Sequence, residues 1–232
     1  MTRSENPGPV RNSAVWLLVA LGLLFLSAPF VQDVWFGSLI EACLLTLVMT
    51  FAVLAVGARG RTLGIALLLV IPALAARWIN YLRPDLLSPV VFLLAAMLFQ
   101  AFVVAHILRF ILRTSRVDAN VLCAGLSGYL ILGLLWVPAY VLVARINPKA
   151  FIISGGADAS AEMDGFRALY FSFITLCTVG YGDVVPASKV AQMLAITEAI
   201  AGLFYVAVLI SRLVAIYSSA QPAAESETQP PR

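Results

Sequence analysis

The chain has 232 residues, of which 62% are hydrophobic and only 12% charged, with a mean hydropathy of +0.97 and a net charge of +3. Soluble globular chains carry about 25% charged residues, so most of this surface must face lipid rather than water. A soluble enzyme, a nucleic-acid reader and a disordered scaffold are excluded, and the small, scattered positive charge gives no reason to expect a polyanionic partner.

Charge-free runs locate the membrane spans, because a charged side chain at the bilayer centre is expensive and a span needs about 20 apolar residues. Five such runs lie between Arg11 and Asp33, Glu41 and Arg59, Arg61 and Arg77, Asp85 and Arg109, and Asp118 and Arg145. The first has the basic flank of a signal peptide but is longer than a typical signal core, and further spans follow it. In the third, a charge-free core of 15 residues contains Pro72, which predicts a kinked helix with Trp78 and Tyr81 at its interfacial end. A sixth span runs from Val190 to about Tyr217, interrupted by Glu198 and Arg212. The reading is an all-α membrane protein with a tail over 1–12, a four-helix domain over 13–112, an interfacial linker over 105–118, a pore domain over 119–217 and a disordered tail over 218–232.

An even number of spans puts both tails on one side. That side holds Arg3, Arg11, Arg59, Arg61, Arg109, Arg113, Arg116, Arg212 and Arg232, against Arg77, Arg83, Arg145, Lys149, Arg167 and Lys189 on the other. The excess predicts cytoplasmic tails, with Arg109, Arg113 and Arg116 as inner-interface anchors. Cys43, Cys123 and Cys177 have unrelated spacings and suggest neither a disulfide framework nor a metal site, and the lone His106 reads as an interfacial side chain.

Between spans five and six the chain reads AEMDGFRALYFSFITLCTVGYGDVVP. Asp164 is a candidate N-cap, and Phe166 to Cys177 would make about 18 Å of helix, half a membrane. Gly180 and Gly182 then forbid continued helix on propensity, and Pro186 prevents its easy resumption. A half-membrane helix, a non-helical return and a further span make a re-entrant loop, tolerated at that depth only where protein buries it or it lines a watery pathway. Positive φ at Gly180 and Gly182 would aim successive carbonyls to one side. One loop cannot enclose an axial pathway, so the geometry requires several subunits.

The string TVGYGD, Thr178 to Asp183, preceded by Thr175-Leu176-Cys177, is similar to the selectivity filter of potassium channels. The resemblance covers about Asp118 to Tyr217. It implies a homotetramer in which Thr178, Val179, Gly180 and Tyr181 coordinate K+, Gly182 completes the filter and Asp183 sits at the outer mouth. Cys177 stands where relatives often have Thr, which should alter packing behind the filter. Ile174 replaces a glutamate that some bacterial channels pair with the mouth aspartate, and Tyr170, often Trp in relatives, is expected to bond Asp183 instead. Gly202, 19 residues beyond Asp183, occupies the position of a hinge glycine, with close helix packing as the alternative. Glu198 is expected to support the filter structurally, with Thr175 and Thr197 as candidate partners.

Six spans with a pore loop also resemble voltage-gated channels, whose fourth span carries repeated arginines. Here residues 86–108 carry none, and Glu41 is the one acidic countercharge offered by spans two and three. Weak voltage dependence at most is expected, with 105–118 as an amphipathic linker placing Leu108, Ile111 and Leu112 against lipid or protein. The implied function is passive K+ conduction with no catalysis and no cofactor beyond the permeant ion. The implied partners are self, K+ and membrane lipid, without nucleic acid, in a plasma membrane of bacterial or archaeal type. The alternatives are a poorly selective cation channel and a silent or modulatory membrane subunit.

Overall fold

The computed structural model describes residues 13–31, 35–55, 61–83, 88–114, 118–154 and 162–220; the two tails over 1–12 and 221–232, and Arg116, lie outside the described residues. Among the described residues six helices are long and apolar enough to cross a membrane: α1 (Ser13–Val31), α2 (Gly37–Ala55), α3 (Arg61–Leu82), α4 (Pro89–Arg113), α5 (Ala119–Ile146) and α7 (Lys189–Ala220). Between the last two lie the strand β1 (Phe151–Ile153), the short helix α6 (Gly165–Leu176) and the strand β2 (Val184–Pro186). Among the described residues the protein is thus an all-helical membrane protein apart from one two-stranded ribbon.

Local chemistry sets the boundaries. Ser88 caps α4 with Pro89 in its first turn, and Asp118 caps α5 by accepting from the Val121 amide at 2.8 Å. The third span is longer than its charge-free core because Arg77 lies inside α3, where it meets Glu41 of α2 at 3.3 Å. An isolated arginine at that depth would be disfavoured; a paired one is admitted. Trp78 Nε1 adds a second α2–α3 tie by donating to Thr46 Oγ1 at 3.2 Å.

Two boundaries differ from the sequence expectation. Residues 105–113 continue α4 without a break instead of forming a separate interfacial linker. No glycine or proline interrupts the stretch, and Ile107 and Ile111 are buried against α5. At the other end α7 reaches Ala220, past the expected boundary at 217, since the first helix breaker is Pro222.

α5 is the hub of the fold: α1, α4, α6 and α7 all pack on it. The main core joins α1, α2 and α4 to α5 through residues such as Leu17, Leu21, Phe99, Val103 and Ile131. A second cluster surrounds α6. Its centre is Tyr140, Phe151 and Phe171, three rings in mutual edge contact with centroids 4.9 to 5.8 Å apart. The four-helix domain also reaches α6 directly, where Phe25 of α1 meets Phe173 edge-on at 4.8 Å.

Candidate functional site: a re-entrant loop and its support

α6 forms because Asp164 caps it, accepting from the Arg167 amide at 2.7 Å, and because its apolar residues bury one face on α5. Twelve residues give about 18 Å, too short to cross a bilayer. The helix ends at Cys177, and the backbone then alternates in handedness: Thr178, Gly180 and Gly182 have φ of +57°, +58° and +81°. Positive φ at the two glycines follows from their missing Cβ. At Thr178 it has no signal in the residue type, and the hydrogen bonds that hold it run from the loop back to the end of α6.

Those bonds set the direction of the carbonyls. The Thr178 amide donates to Thr175 O at 2.9 Å, and the Val179 and Gly180 amides donate to Ile174 O at 2.8 and 3.2 Å. Three successive N–H groups therefore turn back onto the carbonyl end of α6. In a trans peptide the C=O opposes the N–H of the same unit, and no peptide here is cis. The carbonyls of Cys177, Thr178 and Val179 consequently point away from α6. Alternation of handedness is the backbone pattern that gathers like groups on one side. The loop thus presents oxygens outward from the helix, with the negative end of the α6 dipole behind them. In the single chain this face is open: Val179 is 50% and Tyr181 73% exposed.

On the far side the chain is pinned by the ribbon. β1 and β2 pair antiparallel with Phe151 opposite Pro186 and Ile153 opposite Val184, and the Ser154 amide donates to Asp183 O at 2.6 Å. Tyr170 OH donates to Asp183 Oδ2 at 2.7 Å, tying the mouth of the loop to α6. That hydrogen bond, with burial and the carboxylate charge behind it, holds the Tyr170 phenol above its ordinary pKa. Among the described residues Asp183 Oδ1 is buried without a partner. Tyr170→Phe is therefore expected to leave the carboxylate unsupported and to speed the loss of this loop conformation, seen as faster inactivation. Macroscopic current decay checks this, and an unchanged decay would count against it.

Behind the loop lies a buried polar cluster. Glu198 is fully buried on α7 and accepts hydrogen bonds from Tyr140 OH of α5 and Ser172 Oγ of α6; Ser172 Oγ also lies 2.8 Å from Gly133 O. One carboxyl thus joins three helices. These partners correct the sequence expectation: Thr197 bonds the Met193 carbonyl at 2.8 Å instead. The reason is helical geometry, since adjacent residues do not share a face. Ala191, Glu198, Gly202 and Tyr205 form the buried stripe of α7. Thr175 lies one turn beyond Ser172 on α6 and is partly buried. Cys177 is exposed, with its Sγ 3.5 Å from Tyr129 OH.

Gly202 sits where α7 crosses the end of α6. A Cβ there would lie 2.7 Å from Leu176 Cδ1 and 2.8 Å from Leu176 O, so packing alone demands a small residue. Gly202→Ala is expected to destabilise the assembled protein by about 1–3 kcal/mol through this crowding. Thermal unfolding in detergent measures it, and an unchanged midpoint would remove the packing explanation. Nearer the arginine-rich end, Arg212 Nη2 donates to Thr114 O at 2.7 Å, joining α7 to the C-cap of α4. Nothing in the sequence pattern pointed to that link. Arg109 and Arg113 lie exposed in the last turns of α4.

Residues 125–219 match the family model described as ion channel. Similar proteins include two pore potassium channel c of Oryza sativa (44% identical over 88 residues, 33% of this chain and 19% of the relative). Two-pore potassium channel 3 of Arabidopsis thaliana is 31% identical over 74 residues, 32% of this chain and 16% of the relative. The human voltage-gated potassium channel regulatory subunit KCNG1 is 31% identical over 87 residues, 37% of this chain and 17% of the relative. The chain therefore spans less than a fifth of the length of each of these relatives. No solved structure matches. Helix, half-helix, turned-out loop and second helix, together with these similarities, make residues 125–219 a pore-loop unit that matches the ion channel family and is similar to potassium channels.

Proposed function

We propose that this protein is a homotetrameric, potassium-selective channel that conducts K+ passively down its gradient. The observation that carries the reading is the direction of the loop carbonyls: amides 178 to 180 are committed to the end of α6, which frees the oxygens of the same peptide units to face an axis. Four such loops replace the hydration shell of a dehydrated cation. Thr178, Val179, Gly180 and Tyr181 are the ion ligands in this reading, and Gly182 and Asp183 close the outer mouth. Thr175, Cys177, Tyr170 and Glu198 hold the loop from behind. Gly202, beyond its packing role, is the candidate bending point of α7.

The tetramer is supported by what one subunit leaves uncovered. α7 buries a single stripe, and its remaining arc exposes Met193, Ile196, Ile200, Leu203 and Phe204, enough apolar surface for both a pathway wall and a neighbouring subunit. Orientation follows the arginines: the α1 start, the α4 end with Arg109 and Arg113, and the α7 end with Arg212 lie on the cytoplasmic side of the plasma membrane. Weak voltage dependence follows from α4, which carries no charge before Arg109. Moving one charge through 100 mV yields only about 2.3 kcal/mol, so an uncharged span gives the field nothing to act on.

A second reading is favoured by one similarity, to a relative named as a regulatory subunit: the chain acts as a modulatory subunit. Purified protein alone in liposomes separates the two. The proposed function predicts tetramers on cross-linking and barium-sensitive K+ flux well above Na+ flux. Tetramers without flux would support the modulatory reading, and equal K+ and Na+ flux a poorly selective channel.

A further inference from the structure

We propose that a cavity between the four-helix domain and the pore unit binds one anionic phospholipid. The cavity has a volume of about 340 Å³, within the range of small-molecule sites. It is lined by the end of α1, the start of α2, the end of α3, the start of α4, the end of α5 and the start of α6. Alternation of the spans puts all of these on one side of the membrane, the side from which the filter loop descends.

Its chemistry is divided. At the helix ends stand Arg77, Asn80, Arg145 and Glu41, two cations against one anion. Arg77 is held in place: its side chain is only 14% exposed, one Nη pairs with Glu41, and the guanidinium lies 5.6 Å from the centre of the Phe92 ring. Yet its Nε is buried and, among the described residues, has no hydrogen-bond partner. A buried guanidinium N–H without an acceptor is unfavourable, and an anionic oxygen is the acceptor that best satisfies it. Arg145, exposed on the last turn of α5, brings a second cation to the same rim. Deeper, the walls are Leu24, Leu45, Met49, Leu93 and Leu134, surfaces fit for an acyl chain.

An acidic head at the arginines with a hydrocarbon tail below them describes a membrane phospholipid such as phosphatidylglycerol. The cavity holds part of one acyl chain, the rest of the lipid remaining in the bilayer. Because Phe166 and Leu169 of α6 form part of the wall, the occupant touches the helix that carries the filter. Gln100 lies 11 residues along α4, about 16 Å below the rim, and takes no part in holding the head group.

Delipidated full-length protein titrated with phosphatidylglycerol or phosphatidylcholine of identical chains, read by native mass spectrometry, tests the site without reference to ion conduction. Phosphatidylglycerol should bind at least tenfold more tightly. Arg145→Gln should bring that ratio to about threefold or less, and Ala96→Phe, which fills the apolar part, should weaken both lipids. Gln100→Leu and added glycerol 3-phosphate should leave binding unchanged. Equal binding of the two lipids, an undiminished ratio in Arg145→Gln, loss of binding in Gln100→Leu, or displacement by glycerol 3-phosphate would each overturn the proposal. Arg145 is exposed, so its variant remains decisive even where Ala96→Phe fails to fold.

Discussion

Gly180→Ala and Gly182→Ala each reduce K+ flux of the reconstituted protein to the background of empty liposomes. The backbone at these positions has φ of +58° and +81°. A left-handed conformation disfavours an L-residue by about 1–2 kcal/mol, and in the proposed fourfold assembly the penalty is borne four times, about 4–8 kcal/mol in all. In one subunit a Cβ at either site meets nothing within 4 Å, so the effect comes from backbone conformation and not from crowding. The cheapest relief is to rotate the peptide and return φ to negative values. In the proposed pore that rotation turns a carbonyl away from the axis and an N–H toward it, replacing a cation ligand with a donor. The effect therefore falls on flux far more than on assembly: the variants should run as tetramers of unchanged size. Tetramers with normal flux would show that the carbonyl direction is not what carries the ion.

The second large effect is expected at Glu198. Glu198→Leu keeps roughly the side-chain volume but removes both acceptor oxygens from a fully buried position. Ser172 retains the Gly133 carbonyl as a partner, whereas Tyr140 loses its hydrogen bond to the carboxyl. One orphaned buried hydroxyl costs about 1–3 kcal/mol, and the loss falls where α5, α6 and α7 meet. Reduced thermal stability of the tetramer and reduced sustained current should appear together. Glu198→Gln keeps an acceptor for Tyr140 and should be much milder. A double-mutant cycle with Tyr140→Phe isolates the pair, and because the two side chains share one bond the combined change should be well short of additive. Full additivity, with current unaffected in Glu198→Leu, would reduce the cluster to ordinary packing.

How far the sequence could be read depended on the range of each interaction. The six spans were legible because lipid imposes a length and a charge rule on contiguous residues, and the half-helix because Asp164 caps it and Gly180 and Gly182 end it. The positive φ of Thr178 was not legible, since it is fixed by hydrogen bonds from the loop to Thr175 and Ile174 and not by the residue itself. For Glu198 the reason is distance along the chain. An ionisable residue in a span announces itself, but its partners stand 58 and 26 residues away, and no local pattern selects Tyr140 and Ser172 over Thr175 and Thr197.

Trp78 and Tyr81 carried the third span past Arg77 in the sequence, but its pairing with Glu41 of the neighbouring helix was not legible. The ribbon went unseen for a different reason. Strands of three residues carry too little alternation to register, and they form only because α6 and the loop bring Phe151–Ile153 beside Val184–Pro186.

A bi-ionic recording tests the central claim most directly: purified protein in a planar bilayer with K+ on one side and an equal concentration of Na+ on the other. At equal concentrations the reversal potential reads the permeability ratio alone, and a K+-selective pore displaces it far from zero in the direction that opposes K+ flow. A reversal potential at zero would contradict the central claim.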